Sequence, residues 1–178
     1  MTQETPTPPF RAIADMIGEH ATQRPASLAL SQEGRRIDYR ALDAQMDRVA
    51  AALQRDGIGP QESIVIVAGT SIEYAVVFLG ALRAGVAVAP LPPSSTVESL
   101  HAMIADSGAR LMFVDAATAA LLDSGTPGAP GKPPVRISLD GSPAGRAFHA
   151  WLAPEGARPE RIEVQPEWPF NIIYSSGT

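Results

Sequence analysis

The residues best suited to chemistry are the last four, Ser175-Ser176-Gly177-Thr178, which follow the apolar run Phe170-Asn171-Ile172-Ile173-Tyr174. Glycine lets backbone N–H groups converge and hydroxyls add donors, so a loop of this kind leaving a parallel strand can wrap phosphate oxygens. On spacing alone the same residues read equally well as a polar terminus. Other phosphate and nucleophile patterns fail on inspection. Thr126 to Pro133 lacks the first Gly and the hydroxyl of a Walker loop, although Gly131-Lys132 is present. Gly57-Ile58-Gly59 lacks a third Gly and follows a helical stretch, so it reads as a helix stop and not a dinucleotide fingerprint. Gly141-Ser142-Pro143-Ala144-Gly145 puts Pro where a nucleophile-elbow Ser would stand.

The remaining reactive side chains assemble into nothing. His20, His101 and His149 are far apart, none forms a metal-type pair, and all read as helix-surface residues. The Asp43–Asp47 pair reads as a solvated helix face, and Phe148 with Trp151 reads as core in preference to an acyl pocket. With no Cys there is no thiolate, disulfide or cysteine metal site. No catalytic residue and no metal ligand is therefore assigned.

A phosphate loop needs a parallel sheet to carry it, and the hydrophobic period supplies one. Residues 1–9 form a Pro/Thr leader, expected to be disordered, and 10–178 form the folded part. Phe10, Ile13, Ala14 and Ile17 recur at helical spacing and predict a first helix closed by Gln23-Arg24-Pro25. Leu28 to Leu30 and Arg36 to Tyr39 flank Glu33-Gly34 and predict a β-hairpin. Leu42, Met46, Val49, Ala50 and Leu53 form an apolar helical stripe that ends at Gly57. Strand and helix then alternate: a strand at 64–68, a helix over 74–82, a strand at 86–89, a helix over 97–107 and a strand at 110–114. Continuous apolar strands imply burial on both faces, hence an α/β fold with a mainly parallel sheet, helices on both sides and an early hairpin. From Gly125 to Pro169 the chain holds nine of its seventeen prolines, with a strand expected at 135–139 and a helical cluster at Phe148, Trp151 and Leu152. A final strand is expected over 170–174.

Composition narrows the partners. Hydrophobic residues make up 45% and charged residues 19% of the 178, enough for one core. A net charge of −5 with scattered basic residues argues against nucleic acid. No stretch approaches the roughly 18 apolar residues that span a bilayer, and the start lacks a signal-peptide pattern, so the expected location is cytoplasmic.

The ending from Pro166 to Thr178 resembles the adenylate-forming superfamily of acyl-CoA synthetases, peptide-synthetase adenylation domains and luciferases. The family motif is an apolar strand, Tyr or Phe, and a Ser/Thr/Gly loop that continues through a second Gly to Pro-Lys-Gly; the first half is present here. Asp38-Tyr39-Arg40-Ala41-Leu42 is similar to the family's early aromatic turn, and Gly57 to Ile66 to its Gly-rich lead into a strand with shifted glycine spacing. Glu73, Leu79-Gly80, Ala84-Gly85-Val86 and Pro90-Leu91 match a further ordered motif. Glu62, Thr70-Ser71 and Val86 depart from the usual Asp, Asn and Ala, none of them catalytic.

The resemblance implies the amino-terminal part of a large AMP-binding domain, with the loop Lys, the base contacts and a small carboxy-terminal domain beyond Thr178. It implies ATP, Mg2+ and coenzyme A as cofactors, a carboxylic acid as substrate, and Ser175, Ser176, Gly177 and Thr178 as the first phosphate contacts. Small, aromatic and long-chain acids all stay open. Two alternatives stand beside the acyl-CoA ligase: an adenylation domain that loads a carrier protein, and a non-catalytic binding or scaffold module. The chain alone is expected to be inactive. Apolar surface exposed where the sheet ends at Tyr174 would favour homodimer formation or partial disorder there.

Overall fold

The structure, a computed structural model, describes residues 10–125 and 133–175. The expected leader 1–9 and the loop residues Ser176, Gly177 and Thr178 lie outside the described residues.

The β-branched run Ile64 to Val67 forms the central strand, β3 (Ser63–Val67), after α1 (Ile13–Gln23), the antiparallel hairpin β1 (Leu28–Gln32) and β2 (Arg35–Asp38), and α2 (Tyr39–Arg55). The chain continues through α3 (Ile72–Arg83), β4 (Ala87–Pro90), α4 (Val97–Asp106), β5 (Leu111–Val114), α5 (Ala116–Asp123), β6 (Val135–Ser138), β7 (Arg146–Ala147) and α6 (Phe148–Trp151). The five-stranded sheet has order β4-β3-β5-β6-β7, and each of its pairs is parallel.

Alternate residues of each strand face opposite layers. Ile64, Ile66, Val88, Phe113 and Ile137 join one core with α1, α2, α3 and α6, and the hairpin packs on that side. Val65, Val67, Ala89, Met112 and Val114 join a second core with Leu100 and Ile104 of α4 and Ala119 and Leu122 of α5. The winding from β3 to β4 crosses on the first face and the return to β5 crosses on the second. Reversing both direction and face keeps one hand of crossover throughout.

Several caps fix where elements start. Asp38, Ser71, Thr96 and Asp115 accept from the backbone N–H groups of Ala41, Tyr74, Ser99 and Thr118. Tyr39, expected in the hairpin, therefore opens α2, because Asp38 caps the helix one residue earlier. Gly57 adopts φ 71° after α2, as expected of a helix stop.

Gly80 decides how closely α2 and α3 approach. A Cβ there would lie 2.5 Å from Val49 Cβ, so the two helices meet backbone against side chain. Beside that contact the carboxylates expected to be solvated are drawn into an ion-pair cluster: Asp47 is buried at 7% exposure and Asp43 is half-buried, and Arg83 bonds them at 2.8 Å and 2.6 Å. Arg158 also pairs with Asp47. The helical period correctly puts these carboxylates on one side of α2, but it could not show that α3 brings a guanidinium to that side.

The last expected strand is the second correction. Phe170 to Tyr174 forms a single parallel bridge, Asn171 to Val88, at the free edge of β4. Val88 N–H donates to Phe170 O at 3.1 Å and Ile172 N–H to Val88 O at 2.8 Å. Phe170 and Ile173 are 56% and 74% exposed, so apolar side chains do face outward at this edge. A third difference is α5, a stretch to which the sequence reading assigned no element.

Candidate functional site

In an open parallel sheet, ligands usually sit beyond the carboxyl ends of the strands where winding reverses, here between β3 and β5. The groups at that point are already engaged with one another. Gly69 N–H, just after β3, donates to Asp115 Oδ2 at 2.7 Å, and Ala116 N–H, just after β5, donates to Asp140 Oδ2 at 2.9 Å. Asp140 Oδ1 accepts from the Ser138 hydroxyl at 2.9 Å and from Ser142 N–H at 3.1 Å.

The electrostatics follow these donors. The Ala116 amide holds the Asp140 carboxyl well below the usual carboxylate range, with Ser142 and Ser138 adding to it against a desolvation cost. Burial opposes ionisation of Asp115, but the Thr118 and Gly69 amides outweigh it and the value is lowered. Two carboxylates thus occupy the amides that an anionic ligand would need. They act as caps of the sheet's upper rim.

The free edge beside β4 offers a different arrangement. Because the segment at Asn171 runs parallel to β4, the residues after it head toward the carboxyl ends of the strands. Ile172 and Tyr174 turn inward onto the second core, and Ile173 turns outward. The Tyr174 hydroxyl lies 2.9 Å from Asp106 Oδ2 and 3.1 Å from Met103 O, both on α4. Ser175 follows, exposed and ahead of the rest of the loop.

Of the four site residues read from sequence, the structure places Ser175 at this edge; Ser176, Gly177 and Thr178 lie outside the described residues. Among the described residues no group of three or more His, Cys, Asp or Glu side chains could hold a metal ion. The histidines differ from the surface reading. His149 is exposed, but His20 is half-buried, edge-on to Tyr39 at 5.0 Å between ring centroids, with a buried Nδ1 that has no hydrogen-bond partner. His101 is half-buried on α4.

Trp151 is core, as expected: it is 1% exposed, packs edge-on against Phe113 at 5.1 Å and donates Nε1–H to Asp56 Oδ2 at 2.7 Å. The sequence reading missed Asp115 and Asp140, although Asp115 with Thr118 has the three-residue spacing of a capping box. The Tyr174 hydroxyl contact to α4 left no signal, because its partners are about seventy residues away.

Comparison with known proteins decides the family, since the model described as "AMP-binding enzyme" matches residues 17–178. The chain belongs to the AMP-binding enzyme family. Among AMP-binding relatives, it is 27% identical over 172 residues to a protein named fatty acid–[acyl-carrier-protein] ligase ScoC of Streptomyces coeruleorubidus, covering 96% of this chain and 32% of that protein. It is 27% identical over 177 residues to a dimodular nonribosomal peptide synthase of Bacillus subtilis, covering 96% of this chain and 7% of that protein. The N-terminal domain of FACL13 from Mycobacterium tuberculosis superposes with a TM-score of 0.80 at 22% identity, over 94% of this chain and 42% of that one. That likeness shows the fold. The chain spans about a third of ScoC and under a tenth of the synthase. Among the described residues no helix is long and apolar enough to cross a membrane.

Proposed function

We propose that this chain is the amino-terminal portion of the large domain of an AMP-forming acid–thiol ligase, with residues 10–178 contributing the first part of that domain. The observation that carries the reading is that the family match runs through the loop at Ser175 to Thr178. The parallel segment that precedes the loop supports it, since it aims Ser175 past the carboxyl ends of the strands.

In this reading Ser175, Ser176, Gly177 and Thr178 begin a cradle for the phosphates of ATP. Their hydroxyls and amides hold the nucleotide in line and stabilise charge that builds on the departing pyrophosphate. A carboxylate oxygen attacks the α-phosphorus, the bond to the bridging oxygen of pyrophosphate breaks, and an acyl-adenylate forms. A thiol then attacks the acyl carbon and AMP departs with one oxygen of the original acid. None of the described residues is assigned to hold Mg2+, and no step is routed through that ion. None is assigned to thiol transfer either, and the chain by itself is proposed not to complete the reaction.

Coenzyme A is the proposed acceptor. A second reading, transfer to the phosphopantetheine thiol of a carrier protein, is favoured by the likeness to ScoC and to a peptide synthase. Both share the adenylate step, which isotope labelling tests. With an accepted acid carrying 18O in its carboxylate, the full-length protein should place one 18O in AMP. Label in inorganic phosphate alongside ADP would contradict the reading. Supplying coenzyme A and carrier protein in parallel then separates the acceptors by the acyl thioester formed.

A further inference from the structure

The segment that leads into the loop is weakly held by its backbone. Its ladder with β4 is a single bridge at Asn171, supported by two hydrogen bonds to Val88. Beyond it, Ile173 is 74% exposed and contributes little packing. An edge held so lightly would fray within a residue or two of Ser175 without another tie.

The tie present is a side chain. Tyr174 packs its ring on the second core, and its hydroxyl reaches α4 near the helix end, 2.9 Å from Asp106 Oδ2 and 3.1 Å from Met103 O. One hydroxyl proton serves two acceptors, and the carboxylate is the stronger of them. Burial and then the Asp106 carboxylate push the phenol up to about 12, so it stays a donor across the neutral range. The helix it grips begins with a capped turn at Thr96, and just past its other end Ser107 O accepts from the Ser63 hydroxyl of β3 at 2.6 Å.

We propose that the Tyr174 hydroxyl is a positioning group: by bonding Asp106 and the Met103 carbonyl of α4, it fixes the root of the phosphate loop where Ser175 leaves the sheet. This rests on the adenylate-forming reading for the loop's task, but the tie itself belongs to this chain. The family motif accepts Tyr or Phe at this place, and Phe would pack the ring without reaching Asp106. Tyr174 touches no reacting atom. It acts through the residues that follow it, because donors in a phosphate cradle work only when held in place.

Tyr174→Phe removes the hydroxyl and keeps the ring. In the full-length protein, with ATP–pyrophosphate exchange as the readout, the KM for MgATP is expected to rise about fivefold, with the KM for the acid and the Tm unchanged. Asp106→Asn should move the same constant less, and the double variant should be no worse than Tyr174→Phe alone, as expected of partners in one contact. An unchanged KM for MgATP would overturn the proposal. A rise in both KM values together with a lower Tm would overturn it too, by marking a general loss of fold.

Absence of exchange in the wild-type protein would instead count against the adenylation reading. The tie is then judged by amide hydrogen exchange. Severalfold faster exchange of Ile172 to Ser175 in Tyr174→Phe, with the rest unchanged, would sustain it, and identical exchange would overturn it.

Discussion

Asp140 shows what a single carboxylate can do at the rim of a parallel sheet. Its oxygens gather the Ala116 amide, the Ser138 hydroxyl and the Ser142 amide, and so join the start of α5 to the turn after β6. Asp115 does the same between α5 and the turn after β3. Both carboxyls are lowered in the folded state relative to an unfolded value of about 4. A depressed folded value means that the stabilisation is complete above the unfolded value and is lost as pH falls through the folded one. Asp140→Asn keeps one acceptor oxygen but cannot titrate. Its unfolding free energy, measured by urea at a series of pH values, should therefore fall less steeply than that of wild type below about pH 4; parallel curves would show that Asp140 is not a linked group. Little of this was legible beforehand. The spacing of Asp115 and Thr118 carries a cap, whereas the bonds to Gly69 and Ala116 join residues brought together only by the strand order.

Strands buried on both faces and helices with a clear apolar stripe were the most legible. Strands β3, β4 and β5 and helices α2, α3 and α4 lie where period and glycine stops put them, within a residue or a few. Those stretches combine strong patterning with clear boundaries, such as Gly57 and Gly85 at positive φ. The segment at 170–174 was misjudged for a physical reason. An apolar run reads as a strand, but an edge position gives it one neighbour, and it pairs only at Asn171. Helix α5 was missed because eight residues of mostly Ala and Leu carry almost no polar face to set a period. Helix contact supplies a prediction at this scale. Ala is a better helix former than Gly by about 1 kcal/mol, yet a Cβ at Gly80 would meet Val49 Cβ at 2.5 Å and Met46 O at 3.1 Å. Gly80→Ala should accordingly lower stability by about 2 kcal/mol in urea unfolding, as overpacking does. Val49→Ala should not rescue it, since the clash is with Cβ itself; a stabilised variant would mean that the helices are free to part.

Over the whole chain, two apolar cores on opposite faces of one parallel sheet hold a frame whose edge beside β4 is open. The point of reversed winding is closed by its own carboxylates, and the loop proposed to receive phosphate begins instead at the open edge, where Ser175 follows the bridge beside β4. The family could be read from ordered motifs spread along the chain, and the match over 17–178 agrees. The acid could not, because no pocket for it is marked by residue type in this stretch. The most direct test of the central claim is ATP–pyrophosphate exchange by the full-length protein, with small, aromatic and long-chain acids offered in turn. The account predicts exchange that appears only with an accepted acid and is lost when Ser175 and Ser176 are both changed to Ala. Folded protein that shows no exchange with any acid offered, or that exchanges equally without one, would contradict it.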